Sequence, residues 1–159
     1  MTAAFLVLLA PTVGPGAPDQ VRIGEARSTP DGVLVHHVVS PYQADGTRIR
    51  VLLPRQLEKG KRYPVVYVLP VEAGDECRYG DGLVEVQRLD LHNKHHAIFV
   101  APSFSHLPWY ADHPTRPEIR QESHVLEVIV PFIDRQYPAQ ANAEGRLLLG
   151  FSKSGWGAF

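Results

Sequence analysis

Residues 146–159 read RLLLGFSKSGWGAF, an apolar run that passes directly into a turn of small residues. The run at 146–150 predicts a buried β-strand, and the glycines and serines after it predict a sharp turn into a helix. A strand-turn-helix junction of this kind exposes the residue at its tip, which here is Ser152. Ser152 is therefore the first candidate for a functional side chain.

The residues around Ser152 favour a nucleophile. A serine hydroxyl reacts poorly unless it stands on a tight turn, where a base can reach it and a helix N-terminus faces the developing charge. Small residues must flank such a turn, as in the pattern G-x-S-x-G. Gly150 and Ser152 match this pattern, whereas Ser154 replaces the second glycine and is small enough to fit. The alternative is a serine that serves only the structure of the turn.

Four apolar runs upstream of this junction predict further strands. Residues 32–40 and 47–53 are β-branched, and the Asp-Gly pair at 45–46 suits a tight turn, so they predict an antiparallel hairpin. Residues 63–69 (YPVVYVL) and 97–101 (AIFVA) are almost continuously apolar. Such runs are typical of parallel strands covered on both faces.

Two helices are predicted between these strands. Between 81 and 92 the apolar residues Leu83, Val86 and Leu89 fall three apart and predict a short first helix. A capping box from Thr115 to Glu118, with proline in its first turn, predicts that the second helix begins there and ends near Tyr137. Pro131 lacks a backbone N–H and should bend its last turns. The predicted buried face of this helix consists of Val125, Leu126, Ile129, Phe132 and Ile133.

In sequence order, the segments YPVVYVL, AIFVAPSF, HVLEVIVPFIDRQYP and GRLLLGFSKSGWGAF resemble the esterase D and mycolyltransferase group of esterases. The resemblance extends from about residue 47 to Phe159. It implies an α/β fold, the three-layer α/β-hydrolase sandwich, with an N-terminal antiparallel hairpin followed by parallel strands. It also implies an esterase that acts through an acyl-enzyme on carbohydrate or other small-molecule esters. No metal and no cofactor are expected.

The same resemblance implies the backbone donors of an oxyanion hole. In that group one donor follows a short His-Gly or Asp-Gly loop after the first parallel strand, and the other follows the nucleophile. The corresponding N–H groups here belong to Glu72 and Lys153. This chain has Pro70-Val71 in place of the loop with glycine, so Val71 is the alternative to Glu72.

Residues 106–112 (HLPWYAD) are similar to an aromatic and acidic stretch that lines the substrate pocket in that group. The resemblance implies substrate binding by Trp109, Tyr110 and Asp112. The alternative is a surface loop whose aromatic rings are packed for structural reasons.

The partners of a serine nucleophile are not found where this fold would place them. The α/β-hydrolase triad runs along the chain as Ser, then Asp or Glu, then His. Only residues 153–159 follow Ser152, and all eight histidines precede it. We therefore expect an N-terminal portion of a longer protein, truncated just after the turn and inactive by itself. The rival hypotheses are a non-catalytic binding protein of the same fold and, within catalysis, an acyltransferase or a serine peptidase.

Composition and the N-terminus set the remaining expectations. With 16 basic and 17 acidic residues and no block of like charge, the chain has no signature of nucleic-acid binding. Residues 3–10 form an apolar run resembling a signal peptide, although no basic residues precede it, and it is too short to span a membrane. We predict a leader at 1–18 and one domain at 19–159. The protein is expected to be secreted or periplasmic, and otherwise cytoplasmic.

Overall fold

A mixed β-sheet of seven strands organises residues 20–159, the part of the chain that the computed structural model describes. The leader predicted at 1–18 lies outside these residues. The strands are β1 (Arg22–Ile23), β2 (Arg27–Ser28), β3 (Leu34–Val39), β4 (Thr47–Leu52), β5 (Val65–Val68), β6 (Ile98–Pro102) and β7 (Arg146–Leu149).

The strand order is β1-β3-β4-β6-β5-β7, with β2 also paired to β3. The predicted hairpin is confirmed, because β3 and β4 are antiparallel neighbours. β5 lies between β6 and β7 and is parallel to both, as the two apolar runs predicted. The chain therefore enters through an antiparallel hairpin and continues as a parallel sheet.

Helices cover both faces of this sheet. They are α1 (Gly82–Arg88), α2 (Leu91–Lys94), α3 (Gln121–Ser123), a π-helical segment (His124–Ile129), α4 (Val130–Gln136) and α5 (Lys153–Trp156), with a short 3-10 turn at Ala143–Gly145. Val68 packs with Leu83 of α1, whereas Tyr67 packs with Ile129 on the opposite face. Because neighbouring residues of a strand point to opposite faces, these contacts define three layers. Among residues 20–159, no helix has the length and apolar character needed to cross a bilayer.

The first predicted helix is divided in two. α1 ends at Arg88 and α2 begins at Leu91, because Asp90 between them has a left-handed backbone conformation with φ of 57°. Leu83 and Val86 are buried as their spacing predicted, but Leu89 is exposed. The spacing of three residues therefore predicts burial correctly for Leu83 and Val86 and fails at Leu89.

The predicted start of the second helix is wrong. Residues 115–118 form a bend and a turn, and the helix begins at Gln121. Arg116 pairs with Glu118, so this carboxylate does not close a capping box. The carboxylate of Asp112 instead accepts hydrogen bonds from Ser123, at 3.0 Å from the backbone N–H and 2.5 Å from the hydroxyl. The first turn is thus capped by a residue from outside the local sequence.

The predicted buried face of this helix is only partly correct. Ile129 and Ile133 are buried, but Leu126 is 58% exposed and His124 is fully buried. The π-helical segment His124–Ile129 widens the turn and shifts which residues face the sheet. It ends two residues before Pro131, whose missing N–H removes a helical hydrogen bond. The predicted end of the helix, near Tyr137, is confirmed.

β7 is an outer strand, so the prediction of a buried strand at 146–150 is wrong in that respect. Within residues 20–159, β7 pairs with β5 on one side and with no strand on the other. Leu147, Leu148 and Leu149 are 49%, 48% and 45% exposed, although they lie on alternate faces of the sheet. Their apolar sequence resembles that of a central strand because both faces carry leucine.

The π-helical register predicts that two alanine substitutions differ strongly in their effect on the free energy of unfolding. Ile129→Ala should lower the free energy of unfolding by about 2–5 kcal/mol, because it empties a fully buried site. Leu126→Ala should change it by less than about 0.5 kcal/mol, because that side chain is largely in solvent. Urea denaturation followed by circular dichroism measures both. Equal losses would contradict the π-helical register.

His124 predicts a pH dependence of stability. Its ring contacts the Ser40 hydroxyl at 3.1 Å and the Thr47 hydroxyl at 3.3 Å, and burial lowers its pKa from 6.5 to about 4. The unfolded chain therefore binds a proton at this histidine more readily than the folded chain. The contribution of the neutral His124 to the free energy of unfolding is complete above pH 6.5 and decreases as the pH drops toward 4. Between pH 7 and pH 5 the loss should be about 2 kcal/mol.

The measurement compares urea midpoints of the native chain and His124→Gln at pH 7 and pH 5. The glutamine variant should lose the part of the pH dependence that belongs to His124. An identical pH dependence in both proteins would contradict a neutral buried histidine.

Candidate active site

The turn after β7 holds Ser152 in a strained conformation. Its φ of 54° and ψ of −122° lie in a region that residues with a side chain rarely adopt. Such a conformation costs on the order of 1–3 kcal/mol and persists only where surrounding contacts impose it. Ser152 is exposed, and its hydroxyl makes no hydrogen bond to any residue between 20 and 159. The hydroxyl therefore stands free at the tip of the turn.

Gly150 and Ser154 pack against each other within this turn. A Cβ atom at Gly150 would lie 2.1 Å from the carbonyl oxygen of Ser154, so only glycine fits there. Ser154 is fully buried, and its hydroxyl donates to the Phe151 carbonyl at 2.9 Å and accepts from the Phe151 N–H at 2.8 Å. The serine that departs from the G-x-S-x-G pattern thus bonds back to the turn and helps to hold it.

Lys153 is the first residue of α5. Its N–H donates no hydrogen bond to another residue in the described part of the chain, as expected at the start of a helix. Its ammonium group lies 4.8 Å from the centre of the Trp109 ring. Lys153 therefore offers a free backbone donor next to Ser152, and its side chain joins the turn to the loop after β6.

The loop after β5 leaves the sheet beside this turn. The N–H of Leu69 donates to the carbonyl of Leu149 at 2.8 Å, so the two strands end at the same level. Neither Val71 nor Glu72 donates its N–H to another residue within 20–159. Both loops border a cavity of about 320 Å³, to whose lining Val71 and Phe151 both contribute. The sheet thus brings the predicted donors and the predicted nucleophile to one edge.

A smaller polar cavity of about 150 Å³ also borders the loop after β5. Glu72 is buried in its wall, and the Glu72 carboxylate accepts a weak contact of 3.4 Å from the N–H of Tyr79. Arg50 pairs with Asp81 in the same wall. Burial acts to raise the pKa of Asp81, but the hydrogen bond and charge of Arg50 outweigh it and hold that pKa below its usual value.

The three candidate substrate-binding residues in the aromatic loop after β6 (residues 106–112) each make different contacts. Trp109 is 61% exposed and lies beside Lys153. The hydroxyl of Tyr110 donates to the carbonyl of Pro70. Asp112 is half-buried, and its two oxygens are bonded to Ser123 and Arg120. Of the three, Trp109 alone presents most of its side chain to solvent.

A wide groove of about 800 Å³, not foreseen from the sequence, lies beside β7 on the face covered by α3 and α4. Leu148, Trp156 and Phe159 give it an apolar lining. Within the described residues, three buried polar atoms near it have no hydrogen-bond partner: Tyr67 Oη, Arg146 Nε and Asp134 Oδ1. Burial raises the pKa of Tyr67, and the nearby Asp134 carboxylate adds to this effect.

Sequence reasoning missed Gln121, which holds the aromatic loop in place. Its side-chain oxygen accepts the N–H groups of Trp109 at 2.7 Å and Tyr110 at 3.1 Å, and its amide donates to the carbonyl of Leu107 at 3.1 Å. Gln121 is 1% exposed. No motif marks it, because these contacts bridge 11–14 residues of an irregular loop.

Comparison with known proteins finds similar solved structures. A ferulic acid esterase matches with a TM-score of 0.61 and 23% identity, over 85% of this chain and 54% of that chain. An S-formylglutathione hydrolase from Agrobacterium tumefaciens matches with a TM-score of 0.62 and 18% identity, over 86% and 55%. MPT51 (FbpC1) of Mycobacterium tuberculosis matches with 0.55 and 16%, over 75% and 41%. No family model and no curated protein matches the sequence.

These matches show the α/β-hydrolase fold, and the fold predicted from the sequence is confirmed. The resemblance to the esterase D and mycolyltransferase group is confirmed at the level of the fold. The chain spans about half the length of the first two structures, 54% and 55% of them.

The close contact inside the turn predicts different outcomes for two neighbouring glycines. Gly150→Ala should lower the melting temperature strongly, because its Cβ would overlap the Ser154 carbonyl oxygen, and overpacking costs about 1–3 kcal/mol. Gly155→Ala should be tolerated, because the nearest atom to its Cβ is 3.7 Å away. Differential scanning fluorimetry measures both. A Gly150→Ala variant as stable as Gly155→Ala would rule out this turn.

Proposed function

We propose that this chain carries the nucleophile of a carboxylic-ester hydrolase that acts through an acyl-enzyme on Ser152. The observation that carries the proposal is the free, exposed hydroxyl on a strained turn between a parallel strand and a helix. Strained backbone of this kind persists where function requires it, and a strand-to-helix turn is where α/β-hydrolases hold their nucleophile. The ferulic acid esterase and the S-formylglutathione hydrolase among the matched structures support an ester or thioester substrate.

The proposed reaction begins when Ser152 Oγ attacks the carbonyl carbon of the ester. Its proton passes to a base, and the carbonyl oxygen becomes an oxyanion that accepts hydrogen bonds from the N–H of Lys153 and from that of Val71 or Glu72. Collapse of this intermediate expels the alcohol with a proton and leaves the acyl group on Ser152. Water then cleaves the acyl-enzyme by the same path. Fixed backbone donors of this kind contribute a few kcal/mol to the lowering of the barrier.

The proposed reaction requires a base and a carboxylate that residues 20–159 do not place beside Ser152. Residues 153–159 contain no histidine, aspartate or glutamate. Within 20–159 no side chain is hydrogen-bonded to the Ser152 hydroxyl. The proposed function therefore takes the base and its carboxylate from a part of the protein outside residues 20–159. The chain spans 54% of the matched ferulic acid esterase, which is compatible with that assignment.

The walls around Ser152 suggest small esters with a polar part. Trp109 offers an exposed aromatic face beside Lys153, suited to a ring or an acyl chain. The cavity of about 150 Å³ that borders the loop after β5 is lined by Arg48, Glu72 and Asp81, which suit hydroxyl groups such as those of a carbohydrate. An acyltransferase would use the same nucleophile and would differ in resolving the acyl-enzyme with an alcohol.

Labelling with a fluorophosphonate tests the nucleophile. In the protein expressed from the complete reading frame, we expect one phosphonate per molecule on Ser152, measured by intact-protein mass spectrometry and peptide mapping. Ser152→Ala should abolish the label. Ser28→Ala, at an exposed serine on β2, serves as the matched control and should label fully.

Two results would contradict the proposed function. One is a well-folded complete protein that takes no label at Ser152 under conditions that label a known serine esterase. The other is a reading frame that stops at Phe159, because no base would then be available. Either result favours a binding protein that retains the fold without catalysis.

A further inference from the structure

Tyr110 has an unusual backbone conformation for a bulky residue. Its φ is 58°, in the left-handed region that favours glycine. The contacts that impose it are the two backbone N–H groups donated to buried Gln121 and the edge-to-face packing of the ring on Phe104, with centroids 5.5 Å apart. Such strain is retained where the surrounding structure over-determines it, often at functional sites. The side chain of Tyr110 is thereby aimed in one direction.

That direction leads to the peptide between Pro70 and Val71. The Tyr110 hydroxyl donates to the Pro70 carbonyl, and this peptide is trans like the other described peptides. In a trans peptide the C=O and the following N–H point in opposite directions. The hydrogen bond therefore fixes the direction of the Val71 N–H, which points away from Tyr110.

The strand pairing indicates where that N–H points. The Leu69 N–H faces β7, because it donates to the Leu149 carbonyl at 2.8 Å. β5 ends at Val68, so the direction of the Val71 N–H follows from the Pro70 carbonyl, which faces the loop after β6 because it accepts the hydrogen bond of Tyr110. β5 lies between β6 and β7, so an N–H that points away from the β6 side points toward the side of β7 and the turn that follows it.

The ring of Tyr110 also touches the other side of the site. A Cβ at Gly157 would lie 2.2 Å from Tyr110 Cγ, so the backbone of α5 at its C-terminal end packs directly on the ring. The N–H of Gly157 donates to the carbonyl of Lys153 at 3.4 Å, which links this contact to the first residue of α5. One side chain therefore contacts both backbone segments that carry the predicted donors.

We propose that Tyr110 is a positioning residue that sets the distance and the relative orientation of the N–H groups of Val71 and Lys153. This proposal rests on the proposed function. It acts through the Pro70 carbonyl and the backbone of Gly157 rather than by touching the substrate. Val71, rather than Glu72, then supplies the second oxyanion donor. Burial raises the pKa of Tyr110, so its hydroxyl remains a donor across the physiological pH range.

Tyr110→Phe removes the hydroxyl and leaves the ring packing intact. The Pro70-Val71 peptide then loses its anchor, so the oxyanion donor becomes mobile while the substrate walls stay in place. For a small ester we expect kcat to fall about tenfold to a hundredfold, because deleting one oxyanion donor outright costs more than this. KM should change less than about twofold, since ground-state binding is not altered.

A thionoester separates positioning from general destabilisation. Sulfur in place of the carbonyl oxygen is larger and accepts weaker hydrogen bonds, so an intact oxyanion hole discriminates against it. The ratio of kcat/KM for the ester over its thionoester should fall in Tyr110→Phe. Tyr137→Phe is the matched control, because it removes a hydroxyl bonded to buried His36 at 2.6 Å, away from the site. It should lower the melting temperature and leave kcat and the ratio unchanged.

Gly157→Ala provides a second route to the same test, because its Cβ would displace the Tyr110 ring without removing any hydroxyl. It should reproduce the fall in kcat and in the ester-to-thionoester ratio. The inference is overturned if the complete protein is labelled at Ser152 while both variants keep the native kcat and ratio. Absence of label in the native complete protein would instead overturn the proposed function, and the inference with it.

Discussion

The parallel pairing of β5 with β7 is the constraint on which the site depends. Its register places Val65 opposite Arg146 and Val68 opposite Leu149, and the Leu69 N–H extends it by one further bond to Leu149. Because the strands are parallel, the loops that follow them leave the sheet at the same edge and at the same level. A shift of one residue would turn the donors of one loop away from Ser152 and move the packed side chains to the other face.

The turn at Ser152 shows how a strained residue is held by its neighbours. The conformation costs on the order of 1–3 kcal/mol, and each hydrogen bond of Ser154 to Phe151 contributes about 0.5–1.5 kcal/mol. The two terms are of similar size, so a buried serine at this position compensates for much of the strain. A glycine in place of Ser154 would permit the turn but would not hold it in this way.

The features that could be predicted from the sequence are those encoded locally. The apolar runs at 63–69 and 97–101 and the small residues at 150–155 specify strands and a turn by themselves, and these were confirmed. The features that could not be predicted depend on distant contacts. The helix begins at Gln121 because Asp112 caps it from a loop, and Leu126 is exposed because a π-helical turn precedes Pro131. The contact from Tyr110 to Pro70 joins residues 40 positions apart, which no local pattern records.

The outer edge of β7 links the fold to the proposed chemistry. β7 exposes leucine on both faces, and within residues 20–159 its outer backbone groups pair with no other strand. Edge strands of stable proteins usually avoid this combination of apolar side chains and unpaired backbone. The groove beside it holds the polar atoms of Tyr67 and Arg146 that lack partners in the same part of the chain. A strand paired parallel to β7 would satisfy its outer backbone groups, and the loop after that strand would leave the sheet at the same edge as the turn of Ser152. Under the proposed function, this edge is the side from which a general base reaches Ser152.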